Sequence, residues 1–131
     1  TDDVRFMPHG LPGVETRMAA TFTTLVTQKG ASIERFVDVF SAGPARINGL
    51  PTKGRVAVGM DADLVLFDPD ESRRVDGASL HMGTDHSPFD GMDLCGWPSL
   101  VVSAGTVVLE DGRFFDPGPV GGFLGREPVS S

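Results

Sequence analysis

The sequence contains a single cysteine, Cys95, among its 131 residues. One cysteine excludes an intrachain disulfide framework and any zinc site built from several thiolates, and it is typical of a reducing compartment. No apolar run approaches the roughly 20 residues that cross a bilayer. The N-terminus Thr1-Asp2-Asp3 has neither the basic nor the apolar region of a signal peptide. These absences favour a cytoplasmic protein that does not bind membranes.

Positive charge is also scarce, with 11 Lys and Arg against 18 Asp and Glu and a net charge of −7. Because the sequence has no basic stripe, a nucleic-acid partner is disfavoured. A length of 131 residues fits one domain, which can bury a core without a disulfide or a metal. The chain begins without Met and continues directly into Val-Arg-Phe-Met-Pro, so we expect it to be cut from a longer polypeptide.

The first third of the sequence has helical periodicity. A first helix is expected from Val14 to the stop signal Lys29-Gly30, where a cation precedes a residue that tolerates positive φ. Ser32 is the expected N-cap of a second helix, which ends near Ala42-Gly43. A short third helix is expected over residues 44–49, with proline at its first position and glycine closing it.

Extended periodicity replaces the helical pattern after residue 49. Short strands are expected over residues 55–58, 64–67, 99–103 and 106–109, the second of them ended by Asp68-Pro69-Asp70. Asp111-Gly112 between apolar runs is a strong hairpin signal, since both residues tolerate positive φ. The tail from Asp116 is expected to be irregular. Helices followed by a small antiparallel sheet predict an α+β chain or parts of two domains.

Several motifs resemble one enzyme family. The run Asp61-Ala62-Asp63-Leu64-Val65-Leu66-Phe67-Asp68 is similar to the segment in which amidohydrolase-superfamily enzymes leave their (β/α)8 TIM barrel and enter a β-sandwich. Gly10-Leu11-Pro12-Gly13-Val14-Glu15-Thr16-Arg17, Pro88-Phe89-Asp90-Gly91-Met92 and Gly96-Trp97-Pro98 resemble the dihydropyrimidinase and D-hydantoinase branch of that superfamily. The resemblance extends from about Val4 to about Arg126.

The resemblance implies an α+β fragment, with terminal helices of the barrel followed by C-terminal strands of the sandwich. Residues 1–49 would end the metal-dependent hydrolase barrel, residues 50–115 would supply sandwich strands and a connecting segment, and residues 116–131 would form the tail. The implied partners are the missing N-terminal barrel portion and, in the full-length enzyme, a small cyclic amide. A homo-oligomer, either a tetramer or a dimer, is also implied.

The resemblance further implies two divalent metal ions, expected to be zinc, in the full-length enzyme. There a metal-bound hydroxide opens hydantoin, dihydropyrimidine or related imide rings. The family's ligands are a His-x-His pair, a carboxylated lysine, two further histidines and an aspartate. This chain has only His9, His81 and His86 and no His-x-His. We therefore expect no metal ligand and no catalytic residue in it, and we expect the fragment to be inactive alone.

Pro8-His9-Gly10 matches the family's Pro-Asn-Gly triplet, which contacts the imide ring from the loop after the last barrel strand. The resemblance therefore implies that His9 and Gly10 bind substrate. If the contact is made by the backbone, histidine is tolerated and can reshape substrate choice; if by the side chain, substrate binding itself is in doubt. A water-exposed loop histidine is the structural alternative.

Two acidic motifs have structural explanations. Gly83-Thr84-Asp85-His86 is similar to the superfamily's catalytic aspartate signature, but it follows the Asp61-to-Asp68 segment instead of preceding the Gly-Leu-Pro-Gly loop. We interpret it as a turn. Asp61 and Asp63 precede a strand, where capping is a more common role than acid-base catalysis.

Two further functions stay open at this point. Non-catalytic dihydropyrimidinase-like scaffold proteins keep this fold and these C-terminal motifs without the metal ligands. Alternatively, the chain is an isolated oligomerisation or interaction module. If the barrel is missing, the apolar helix stripes lose their partners, which predicts that the isolated chain self-associates.

Overall fold

The computed structural model describes residues 10–84, 86–119 and 121–128. Its helices are α1 (Arg17–Phe22, continued by a π-helical segment, Thr23–Gln28), α2 (Ile33–Val37, continued by a π-helical segment, Asp38–Ala42) and α3 (Gly43–Ile47). Its strands are β1 (Leu64–Arg74), β2 (Asp93–Ser103), β3 (Thr106–Glu110) and β4 (Arg113–Phe114), and a 3-10 turn spans Gly77–Ser79. The strands form one antiparallel sheet in the order β1-β2-β3-β4. The α+β prediction is confirmed.

The two signals that were predicted between the first and second helices, the helix stop at Gly30 and the N-cap at Ser32, are both present. Gly30 has φ +69° and ends the first helix, its N–H donating to the Val26 carbonyl at 2.9 Å. The Ser32 hydroxyl accepts from the Arg35 N–H at 3.3 Å and caps α2. The predicted start was wrong by part of a turn, because α1 begins at Arg17 and Val14 stays exposed.

The second helix does not end at Ala42-Gly43 as predicted. Gly43 has helical φ −61° and ψ −54°, so the helical backbone continues from α2 into α3. Its N–H donates to the carbonyl of Asp38, a π-type hydrogen bond. Pro44 has no N–H to donate, and the wider π turn directly before it accommodates this loss. Gly49, with φ +64°, follows the end of the helix as predicted.

The hairpin predicted at Asp111-Gly112 is confirmed, and a second hairpin lies between the two strands that precede it. Ala104-Gly105 joins β2 to β3 with φ values of 47° and 81°, and Asp111-Gly112 joins β3 to β4 with φ values of 47° and 76°. Positive φ at both central residues is the pattern of type I′ turns, whose twist matches that of the flanking strands. The described residues of the tail after Asp116 contain no helix or strand, as expected.

Two strand predictions were wrong, and a third, residues 99–103, covers only the end of β2, which begins at Asp93. Residues 55–58 form no strand, and the side chains of Val56 and Val58 are exposed instead of packed. Strand β1 does not stop at Asp68-Pro69-Asp70 but continues to Arg74. Its pairing with β2 is interrupted between Asp68 and Ser72, so the proline lies where no N–H is needed for the ladder.

Helix α1 packs on β2 and creates two small cores. The first is aromatic: the Phe22 ring lies 5.2 Å from Phe36 and 4.9 Å from Phe67 between centroids. The second consists of Ala19, Val75, Leu94 and Trp97. Between them, Thr23 bridges the layers, its hydroxyl donating to the Ala19 carbonyl at 2.8 Å and accepting from the Cys95 N–H at 2.8 Å.

Across the described ranges, none of the helices combines the length and the apolar character needed to cross a membrane.

Candidate functional site

The loop that precedes α1 carries the predicted substrate-binding pair. His9 lies outside the described residues, as does Asp85 of the aspartate-like motif. Gly10 is exposed, and its φ of +93° is one that favours glycine. Among the described residues, a Cβ built on Gly10 would meet nothing within 4 Å. The described part of the chain therefore leaves the main chain open on this side, with room for another molecule to approach it.

The loop is held against the segment that connects β1 to β2. A Cβ on Gly13 would lie 3.7 Å from Cε2 of Phe89, so the backbone passes close to that ring. Glu15 makes a second connection, because its Oε2 accepts from the main-chain N–H of His81 at 2.7 Å. Its Oε1 lies 2.8 Å from Nδ1 of the same histidine. Two contacts thus join pieces of chain that are far apart in sequence.

A cluster of charges lies at the entry to β1. Lys53 Nζ lies 3.0 Å from Oδ2 of Asp61 and also contacts Oδ2 of Asp63. Thr52 donates its hydroxyl to Asp61 at 2.7 Å, and the N–H of Ala104 donates to Asp63 at 2.7 Å. The cluster therefore ties the loop before β1 to the turn between β2 and β3.

Hydrogen bonds set the protonation of this cluster. The Thr52 hydroxyl, followed by Lys53, lowers the pKa of Asp61. The Ala104 N–H, followed by Lys53, lowers the pKa of Asp63, and the two carboxylates raise the pKa of Lys53. Carboxylates with lowered pKa values stay ionised at neutral pH. They suit an ion pair, whereas a general acid near neutrality needs a raised pKa.

Next to this cluster, an apolar groove of about 590 Å³ opens between the helices and β1. It is lined largely by apolar side chains, among them Met18, Ile33, Val37, Phe40, Leu64 and Val65. Ile33, Val37 and Val65 are each 44 to 50% exposed. Apolar side chains left this open on a connected surface are typical of a face that another part of a structure covers.

The described part of the chain offers no group of three or more His, Cys, Asp or Glu side chains that could hold a metal ion. His81 instead faces Glu15, and Asp61 and Asp63 are bound to Lys53. The donor set of a binuclear metal centre is therefore not assembled from these residues.

The fold defines a class: helices packed on a four-stranded antiparallel sheet in the arrangement found in hydantoinases. The structure matches a D-hydantoinase (dihydropyrimidinase) from Thermus sp. with a TM-score of 0.87 and 38% identity, over 94% of this chain and 27% of that one. It matches an L-hydantoinase (dihydropyrimidinase) from Arthrobacter aurescens with a TM-score of 0.84 and 38% identity, over 95% of this chain and 28% of that one.

The sequence comparisons agree with the structural ones. The profile of the Amidohydrolase family matches residues 6–108, and the chain belongs to this family. A D-phenylhydantoinase from Escherichia coli O1:K1 / APEC is 42% identical over 122 residues, which is 92% of this chain and 26% of that protein. The chain thus spans about a quarter of the length of the relatives it matches. The predicted resemblance to the hydantoinase and dihydropyrimidinase branch is confirmed.

Sequence reasoning missed the contact between Glu15 and His81. Periodicity indicates which residues share a face of one element, but it does not indicate which loops meet when they are 66 positions apart in sequence. An acidic residue just before a helix offered an explanation of its own, a favourable interaction with the helix dipole. The bond between Thr23 and Cys95 was missed for the same reason.

Proposed function

We propose that this chain is the C-terminal part of a metal-dependent cytoplasmic hydrolase that opens cyclic amides such as hydantoin, dihydropyrimidine or related imide rings. The observation that supports this most strongly is the match to the Thermus D-hydantoinase, because 94% of the chain aligns at a TM-score of 0.87 with 38% identity. Agreement of backbone and sequence over nearly the whole chain favours a shared role over a shared fold alone.

Within that enzyme, we assign residues 1–49 to the end of the TIM barrel, residues 50–115 to the β-sandwich and its connecting segment, and residues 116–131 to the tail. The change from helices to strands after Gly49 supports the first boundary. The open apolar groove supports the proposal that this chain is one part of a larger enzyme, since the remaining barrel and sandwich would cover the groove. Phe123, which is 97% exposed, supports a tail that packs on a second subunit in a dimer or tetramer.

The full-length enzyme would use two divalent metal ions, which we propose to be zinc. The described residues do not fit such a centre, because their candidate donors are bound to one another or lie apart. We therefore assign the metal ligands and the chemical step to the rest of the enzyme. The isolated chain should be inactive for this reason.

The role that we propose for this chain in catalysis is to contact substrate from the loop before α1. His9 and Gly10 would present main-chain groups to the imide ring. The positive φ and the open surroundings of Gly10 support this, because a side chain at that position would be strained and would occupy the space that the ligand needs. A backbone contact also explains how histidine can replace the asparagine expected from the resemblance.

A chimera tests the proposed function. The 122 matching residues of the Escherichia coli D-phenylhydantoinase would be replaced by those of this chain, so that the rest of the parent, to which we assign the metal ligands, is kept. We expect the chimera to bind metal and to open hydantoin, with the isolated chain as the inactive control. A chimera that folds and binds metal but opens neither hydantoin nor dihydrouracil would refute the proposal.

A further inference from the structure

We propose that Glu15 is a positioning residue that, through His81, fixes the substrate loop over Gly10–Gly13; this inference rests on the proposed function. Neither residue needs to touch the substrate. Their role is to hold the main chain of the loop in the orientation that receives it.

The contact between the two residues is bidentate. Oε2 of Glu15 accepts from the His81 main-chain N–H at 2.7 Å, and Oε1 lies 2.8 Å from the ring Nδ1. Because a carboxylate only accepts hydrogen bonds, the proton of this second bond must sit on Nδ1. Two bonds in different directions fix the rotation of the Glu15 side chain as well as its distance from residue 81.

The constraint reaches the loop through the turn that directly precedes α1. The N–H of Arg17 donates to the Gly13 carbonyl at 2.9 Å, so Glu15 lies within a closed helical turn. Gly13 packs on Phe89, which belongs to the same connecting segment as His81. Gly10 is five residues from Glu15, at most roughly 17 Å along an extended chain. A shift at Glu15 therefore moves the C-terminal end of the loop.

Two neighbouring arginines, Arg73 and Arg74, are paired with other carboxylates and do not bind Glu15 in place of His81. Arg73 and Arg74 line the same hollow of about 210 Å³ as Glu15 and His81. Arg73 lies 2.6 Å from Glu71, and Arg74 lies 3.6 Å from Asp93. Among the described residues, Glu15 forms its hydrogen bonds with His81.

Because Glu15 and His81 are both partly exposed, their contact can orient the loop without contributing much to the stability of the fold. The His81 side chain is 54% exposed and that of Glu15 is 28% exposed. A contact this open adds little to global stability. Its loss should therefore loosen the loop without unfolding the chain, and a purely structural role would predict no change in substrate affinity.

The kinetic test uses the chimera described above. Glu15→Ala, which removes both bonds, should raise KM for hydantoin roughly tenfold and change kcat by less than about twofold, because a displaced loop weakens binding more than chemistry. His81→Asn should stay within about twofold of the unaltered chimera, since the amide N–H of asparagine takes the place of Nδ1–H. Glu110→Ala, which removes an exposed carboxylate from β3, is the matched control and should change neither constant.

A second measurement keeps the inference testable if the chimera proves inactive and the proposed function fails. Amide hydrogen exchange in the 131-residue chain should accelerate at residues 10–14 in Glu15→Ala, and not in Glu110→Ala or His81→Asn. Unchanged exchange at these residues would overturn the inference. An unchanged KM in an active Glu15→Ala chimera would also overturn it and would leave the proposed function intact.

Discussion

Replacing Gly96 by alanine tests how closely α1 and β1 pack over β2. Gly96 has φ +81°, and a Cβ built on it would lie 2.4 Å from Cζ of Phe67 and 2.6 Å from Cδ1 of Phe22. Carbon atoms in van der Waals contact lie about 3.5–4.0 Å apart, so both rings would have to move. Phe22 is buried and touches Phe36 as well, which leaves little room for that movement.

Two costs add in this substitution. A left-handed backbone costs a residue with a Cβ about 1–2 kcal/mol, and forcing extra volume into a packed core costs about 1–3 kcal/mol. The free energy of unfolding should therefore fall by about 2–5 kcal/mol, a large share of the roughly 5–15 kcal/mol of a typical domain.

Gly105 provides a matched control, because it has the same φ of +81° but no atom of the described residues within 4 Å of a built Cβ. Gly105→Ala should show only the backbone cost. Urea unfolding of both variants, followed by circular dichroism, gives the difference, which we expect to be about 1–3 kcal/mol in favour of Gly105→Ala. Equal losses of stability in the two variants would refute the conclusion that the rings of Phe22 and Phe67 pack closely against Gly96.

Three further predictions concern the bridge, the charge cluster and the groove. Thr23→Val leaves the Cys95 N–H without its acceptor and should lower the free energy of unfolding by about 1–3 kcal/mol in urea titrations; no measurable loss would contradict the bridge. The pKa of Asp63 is lowered by Ala104 and Lys53, so its stabilising effect is full above its unfolded-state pKa of about 4 and is lost as pH falls through the lower folded-state value. Asp63→Asn should therefore flatten the acid side of the stability profile, and an identical slope would argue against it. Because the groove is open, light scattering of the isolated chain should show association that increases with concentration, whereas a monomer with a concentration-independent melting transition would speak against an uncovered face.

The elements that local chemistry determines were predictable from the sequence. Asp111-Gly112 forms a turn because both residue types tolerate positive φ, whatever surrounds them, whereas Ala104 adopts φ +47° although alanine disfavours it. Gly30 and Ser32 end and begin helices for equally local reasons. The family resemblance was likewise carried by short motifs that can be recognised one at a time.

The features that depend on distant partners were not predictable. Residues 55–58 have the composition of a strand, but no described strand pairs with them. Strand β1 continues past Pro69 because a pairing irregularity opposite β2 accommodates the proline, and the sequence of β1 alone does not show it. The contact between Glu15 and His81 likewise forms only when the fold brings two loops together.

The initial rate of hydantoin ring opening by the chimera, per bound metal ion, is the most direct test of the assignment to a cyclic amidohydrolase. We expect turnover that is readily measurable beside that of the parent D-phenylhydantoinase and absent from the isolated chain. A folded, metal-loaded chimera whose rate equals that of the buffer blank would contradict the assignment.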